Sequence, residues 1–124
     1  MNKIIVPLFL IITCCGYTCK QSAANKLKGK LVVKELCSNY VVQVVQGKVD
    51  TSLVVNNWKD EKRNQTYNGV FTVSNKCTFP ASLKEGDEFE FTFDPQPPVQ
   101  NCMVCLAFYP TPTKSNAIKI SSDK

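Results

Sequence analysis

Between Glu88 and Phe93 apolar and polar positions alternate: Phe89, Phe91 and Phe93 fall on one parity, Glu88, Glu90 and Thr92 on the other. A period of two marks a strand with one buried and one wetted face. Three buried Phe side chains contribute about 1.5–3 kcal/mol each, so this strand is expected to anchor the core. Upstream, the Val-rich stretches "KLKGKLVVKELC" and "NYVVQVVQGK" have strand composition and meet at Cys37–Asn39, which predicts a hairpin. Residues 48–69 are polar apart from the triplet Leu53–Val55 and predict a long excursion with one extra strand there. Asn68-Gly69 launches the next strand, "VFTVSN", and "TFPASLKEGD" predicts one helical turn ended by Gly86.

The prolines of "PQPPVQN" lack the N–H that a ladder needs, so that segment is expected to be an extended loop. The run "CMVCLAFY" is apolar on both parities and predicts a strand covered on both faces. Pro110 and Pro112 stop it, and "NAIKI" offers a last strand with Ala117 opposed in parity to Ile118 and Ile120. The expected fold is all-β, a five- to six-stranded OB-like barrel or a β-sandwich with one short helical turn, over residues 30–121.

The N-terminus has a different pattern. One lysine, an aliphatic stretch from Ile4 to Ile12 and then small and polar residues give residues 1–20 the layout of a secretory signal. The stretch is well short of the ~20 residues a membrane span needs. Two cleavage modes fit. "IITC" suits lipidation at Cys14, with Cys19 as the alternative, and "QSAA" suits ordinary cleavage; three cysteines crowded at positions 14, 15 and 19 favour the lipid. Residues 21–29 read as a basic tether, with Lys26 and Lys28 continued by Lys30 and Lys34 as a solvated run. An exported protein is expected, periplasmic or anchored at the outer membrane through an N-terminal lipid.

The chain carries 15 basic and 10 acidic residues; Lys3 and Lys20 lie in the first 20, which leaves +3 on the remainder. That charge is too mild to imply a nucleic-acid partner. There is no histidine, which removes Ser-His-Asp and Cys-His nucleophiles and mixed Cys/His zinc sites. Cys37, Cys77, Cys102 and Cys105 remain after either cleavage, and four cysteines in a small exported chain predict two disulfides. If Cys102 and Cys105 lie in a strand, their Cα atoms sit about 10 Å apart, beyond the ~7 Å that a bridge spans. Each must then pair with Cys37 or Cys77. A redox or metal site using Cys102/Cys105 is the alternative, but "CMVC" runs into a poor helix start and lacks a second CxxC.

Trp58, Lys59, Lys62, Arg63 and Tyr67 are the candidate ligand-binding residues, because aromatic and cationic side chains on a polar excursion can meet a partner. Trp58 serves equally well as a lid on the barrel. Glu85, Asp87, Glu88 and Glu90 gather near the Phe strand but read as a solvated face, and no catalytic residues or cofactor are assigned. The expected function is a non-enzymatic envelope module binding a glycan or protein partner, with inhibition of a secreted hydrolase as another possibility.

From "KGKLVVKEL" through "NKCTFPASLKEGDEFEFTF" to "CMVCLAFYPTPTKSNAIKI", the chain resembles small exported proteins and lipoproteins of the Bacteroidetes group. The resemblance implies localisation outside the cytoplasm and a compact β fold, and no activity. The strand order is also similar to an OB-type barrel.

Overall fold

The structure, a computed structural model, describes residues 26–122 except Val104 and Leu106. The signal region, the lipidation candidates Cys14 and Cys19, and residues 21–25 of the tether lie outside the described residues. Strand β1 (Leu27–Glu35) begins inside the stretch read from sequence as tether. The cause is Leu27, which is buried, and the pairing of Leu27 with Phe91 and Lys28 with Glu90.

β1 turns at Leu36–Ser38 into β2 (Asn39–Gln46), and the two form the expected antiparallel hairpin, with Val33 opposite Val41. Register shifts at Lys28/Gly29 and Leu31/Val33 bend β1, as bulges do, so that it pairs with β2 on one side and with β6 (Glu88–Phe93) on the other. The excursion carries a small hairpin, β3 (Trp58–Asp60) and β4 (Gln65–Tyr67), before β5 (Val70–Val73) pairs with β2. The strand expected at Leu53–Val55 is instead a 3₁₀ turn, Thr51–Leu53, and a single bridge from Val55 to Val70. Val54 is buried in the barrel core and Val55 packs on the outer cluster, but only Val55 is bridged to a neighbouring strand.

The last segment closes the sheet. β7 (Ser115–Asn116) runs parallel to β5, while β8 (Ile118–Ile120), one residue later, runs antiparallel to β6. The Ser74 N–H donates to the Asn116 carbonyl and the Asp94 N–H to that of Ala117, both at 2.9 Å. One stretch of chain thus occupies both edges, and the six-stranded sheet curls around in the order β7-β5-β2-β1-β6-β8. This is an OB-like curled barrel rather than two stacked sheets.

Inside it, Phe71, Phe91 and half-buried Phe93 form a triangle with ring centroids 5.3–5.8 Å apart. Glu88 and Glu90 stay exposed, as the alternation requires. Gly29 has no side chain because the Phe91 ring lies over it: a Cβ there would sit 2.8 Å from Phe91 Cε1 and 2.9 Å from Val42 Cγ1. Gly29→Ala should therefore cost about 1–3 kcal/mol by overpacking, read as a lowered urea midpoint with an unchanged slope.

The helical turn expected over residues 78–87 is a run of tight turns. The N–H groups of Thr78 and Phe79 bond the Asn75 carbonyl, and those of Leu83 and Asp87 bond Pro80 and Lys84. Phe79 is buried against Tyr40, with centroids 4.7 Å apart, and Leu83 packs on the same core. Asn75 holds this segment to the closing strand, donating to the Ile118 carbonyl at 2.8 Å and accepting from its N–H at 3.0 Å.

"CMVCLAFY" is not a strand at its described positions. The two sheet edges are taken by β7 and β8, and Met103 and Phe108 are exposed rather than covered. Apolar composition there does not signal burial.

Candidate functional site

Both parities of β1 and β2 are apolar because the sheet is buried on two sides. Leu31 faces the barrel core, while Val32, Val33, Val41 and Val70 form a second cluster on the outside. The β3–β4 hairpin lies over this outer cluster. Trp58 and Tyr67, opposite each other in register, stack with centroids 6.0 Å apart and pack against it together with Tyr109.

The turn between β3 and β4 brings charge to the rim of that cluster. Asp60 is only 2 % exposed and accepts hydrogen bonds from Arg63 Nη1 at 2.9 Å, from the Lys62 N–H at 3.2 Å and from the Tyr109 hydroxyl. The same guanidinium pairs with Glu35 at 2.9 Å and with Glu85, and Lys62 pairs with Glu35 at 2.7 Å. Glu85 also accepts the Lys34 N–H at 2.8 Å. Arg63 is therefore a hub joining the excursion, the end of β1 and the turn before β6.

These contacts fix the protonation states. Bonds from Lys62 and Arg63 hold the Glu35 carboxyl below its ordinary range against the opposing effect of burial. For Asp60 burial acts to raise the value, but bonds from Tyr109 and Arg63 and the guanidinium charge outweigh it and the net shift is downward. Burial and the bond to Asp60 push Tyr109 up to about 12. Burial and the Asp60 charge also raise Tyr67.

The signs give two limbs. Glu35 and Asp60 have lowered values, so their stabilisation is present above the unfolded carboxylate range near pH 4 and lost as pH falls through their folded values. Tyr109 is raised, so its contribution is present below about pH 10 and lost as pH climbs toward its folded value. A melting-temperature profile should thus be flat between these limits and fall on both sides. Arg63→Met should shrink the acid limb in part, since Arg63 supplies one of the bonds that depress each carboxyl, beside Lys62 at Glu35 and Tyr109 at Asp60.

The five sequence candidates do come together on one hairpin and its turn. Their groups are engaged within the protein: Trp58 and Tyr67 on the outer cluster, Lys59 with Glu61 at 3.3 Å, Lys62 and Arg63 with the acids described above. The carboxylates do not share a site, because Glu88 and Glu90 face outward beside Lys28 and Lys26, whereas Glu85 joins Arg63.

A different surface is created at the end of the barrel where β1 meets β2. Cys37 bridges Cys105 and Cys77 bridges Cys102, with Cα–Cα distances of 5.2 and 5.6 Å. Both bridges tie the segment between β6 and β7, through Cys102 and Cys105, to the turns at 36–38 and 74–87. The turn at Cys37 and Ser38 is left-handed, φ 63° and 57°, a conformation that costs L-residues roughly 1–2 kcal/mol each and so needs outside support. The Cys105 bridge supplies it, and Asn39 adds bonds to the carbonyls of Leu36 at 2.7 Å and Ala107 at 3.2 Å. Leu36, Val99, Met103 and Phe108 are 79–101 % exposed. A small hollow of about 190 Å³ lies among Cys37, Ser38, Lys76, Cys102, Met103 and Cys105.

Sequence reasoning missed Glu35, Asp60 and Tyr109 as a set, since only the fold brings them within reach of Arg63. It also missed the exposed apolar residues, although one signal was present: from Pro95 to Thr113 there is no charged residue and five of the seven prolines. Comparison with protein-family models, curated proteins and solved structures finds no match to this chain.

Proposed function

We propose that the chain is an exported, non-enzymatic binding module of the cell envelope, tethered by lipid at Cys14 or Cys19. The observation that carries the reading is the pair of disulfides. Cys102 and Cys105 each bridge a distant cysteine rather than each other, an arrangement that serves two staples better than a reversible CxxC couple. Staples of this kind persist in oxidising compartments, and they hold loops rather than core strands. Rigid loops on a small barrel suit presentation to a partner, and a chain without histidine lacks the commonest acid–base group. Inhibition of a secreted hydrolase is the form this takes if the partner is an enzyme, and the protruding Met103 between two bridged cysteines favours including it.

The test is the intact mass of the protein purified from its own envelope fraction, alkylated without reductant. The expected species carries a diacyl or triacyl adduct at Cys14 or Cys19 and no alkylation on Cys37, Cys77, Cys102 or Cys105. Recovery in the soluble cytoplasmic fraction with four alkylated thiols would overturn the reading.

A further inference from the structure

We infer that the open edge of β8 takes an extended peptide segment of a partner protein as an added strand, with Ile120 pairing to its backbone and one of its apolar side chains seated in the hollow beside Phe79. The inference rests on the binding-module reading and names the surface and the class of partner.

β8 is the last strand of the sheet and meets β6 with Phe91 opposite Ile120, Thr92 opposite Lys119 and Phe93 opposite Ile118. The Asp94 N–H donates to the Ala117 carbonyl and the Ser121 N–H to the Glu90 carbonyl, both at 2.9 Å. Residues 117, 119 and 121 therefore turn their backbone groups toward β6. Antiparallel pairing alternates, so the N–H and C=O of Ile118 and Ile120 point away from it. On Ile118 the Asn75 side chain meets both groups as a neighbouring strand would, donating at 2.8 Å and accepting at 3.0 Å. On Ile120 neither group is bonded among the described residues. The edge thus offers one donor and one acceptor of a single residue, just past the point where Asn75 stops.

That edge lines a hollow of about 360 Å³ whose apolar walls are Phe79, Pro80, Pro98, Ile118 and Ile120. The walls ask for an apolar side chain. Asp94 lines the same hollow and is only 9 % exposed. Its Oδ1 accepts the Gln96 N–H at 3.1 Å, whereas Oδ2 stands 4.0 Å from Lys119 Nζ, beyond hydrogen-bond reach. No side-chain oxygen among the described residues is both sealed and without a partner, so Oδ2 is reachable and can take a donor. Lys119 already balances its charge, which makes a neutral amide N–H the fitting donor. A peptide in extended form supplies all three needs: a backbone that pairs with Ile120, a further donor, and alternate side chains for a pocket. A glycan would set hydroxyls against the apolar walls without partners, which is costly. A second barrel would bring a whole sheet edge, which would meet the turn holding Phe79 and Pro80 at the same hollow.

The test selects heptapeptides from a random displayed library on the purified protein with both bridges intact, and titrates the strongest binder into ¹⁵N-labelled protein. Amide shifts should centre on Ile120 and the residues around the hollow. N-methylation of the peptide should weaken binding about tenfold or more at alternate positions only, because every second N–H of an added strand faces its neighbour. Asp94→Asn keeps the acceptor for the Gln96 N–H but turns a donor toward the hollow. It should weaken binding about tenfold or more, as loss of a hydrogen bond to a charged group does, at a nearly unchanged melting temperature. Shifts confined to Trp58 and Tyr67 would overturn the inference and leave the binding-module reading standing. Equal effects of N-methylation along the peptide would overturn strand pairing, and β8 shifts that grow with protein concentration alone would overturn it in favour of a second copy. Selection of no peptide would overturn this inference alone, because the binding-module reading falls on the envelope fractionation instead.

Discussion

Replacing Phe91 with alanine should lower the unfolding free energy by about 3–5 kcal/mol, the range for a large aromatic deleted from a packed core. Phe91 is fully buried, contacts Phe71, Phe89 and Phe93 within 6.0 Å, and covers the space that Gly29 leaves open. It also sits where β6 is paired on both edges, opposite Leu27 in β1 and Ile120 in β8. The cavity would therefore open at the junction that closes the barrel, where the backbone is least free to collapse inward. Against a net stability of about 5–15 kcal/mol for a typical domain, this loss is a large fraction. Urea titration followed by tryptophan fluorescence reads it, since Trp58 lies on the outside of the sheet and reports unfolding without touching the mutated site. Phe108→Ala, at an exposed position, should change the unfolding free energy by less than about 0.5 kcal/mol. Equal effects from the two substitutions would mean that the core is not arranged around β6.

The second large effect concerns the bridges. Cys37–Cys105 closes 68 residues of sequence and Cys77–Cys102 closes 25. The chain-entropy relation assigns about 4 kcal/mol to the longer loop and about 3.5 to the shorter, so replacing both pairs with serine removes a stabilisation comparable to the whole of a small domain's margin. The double-pair variant should be largely unfolded at 37 °C, and each single-pair variant should fold with a reduced midpoint. Loss of Cys37–Cys105 should have a further local consequence, because the left-handed turn at Cys37 and Ser38 loses the crosslink that holds it. Amide exchange at residues 36–39 should then speed up more than exchange in β6. A uniform change across the barrel would show that the bridge acts on the unfolded chain alone.

The strands were legible wherever burial imposed a period or a composition that topology did not contradict. Phe89, Phe91 and Phe93 alternate with polar residues because one side of β6 meets the core and the other meets water. The first hairpin was legible from its Val content, although the reason for apolar residues on both parities, a second cluster under Trp58 and Tyr67, needed the fold. The opposite case is Met103 to Tyr109. Apolar residues there look like a buried strand, yet β7 and β8 occupy the available edges and the segment is held by covalent bridges instead of a ladder. The cysteine pairing illustrates a partial success: a strand spacing argued that Cys102 and Cys105 cannot bond each other, and they do not, though they lie in a loop. The sequence marks Arg63 as a candidate ligand-binding residue, whereas its three acidic partners, at positions 35, 60 and 85, cannot be read from spacing because they come from three separate parts of the chain.

Two specific disulfides brace the β module at one end. The decisive measurement is peptide mapping of the protein taken from cells, alkylated before digestion and kept unreduced. Two linked peptides are expected, one joining Cys37 to Cys105 and the other Cys77 to Cys102, with no alkylated thiol among the four. A Cys102–Cys105 bond, or free thiols at those positions in the natural compartment, would contradict it and move the chemistry of the protein to that pair.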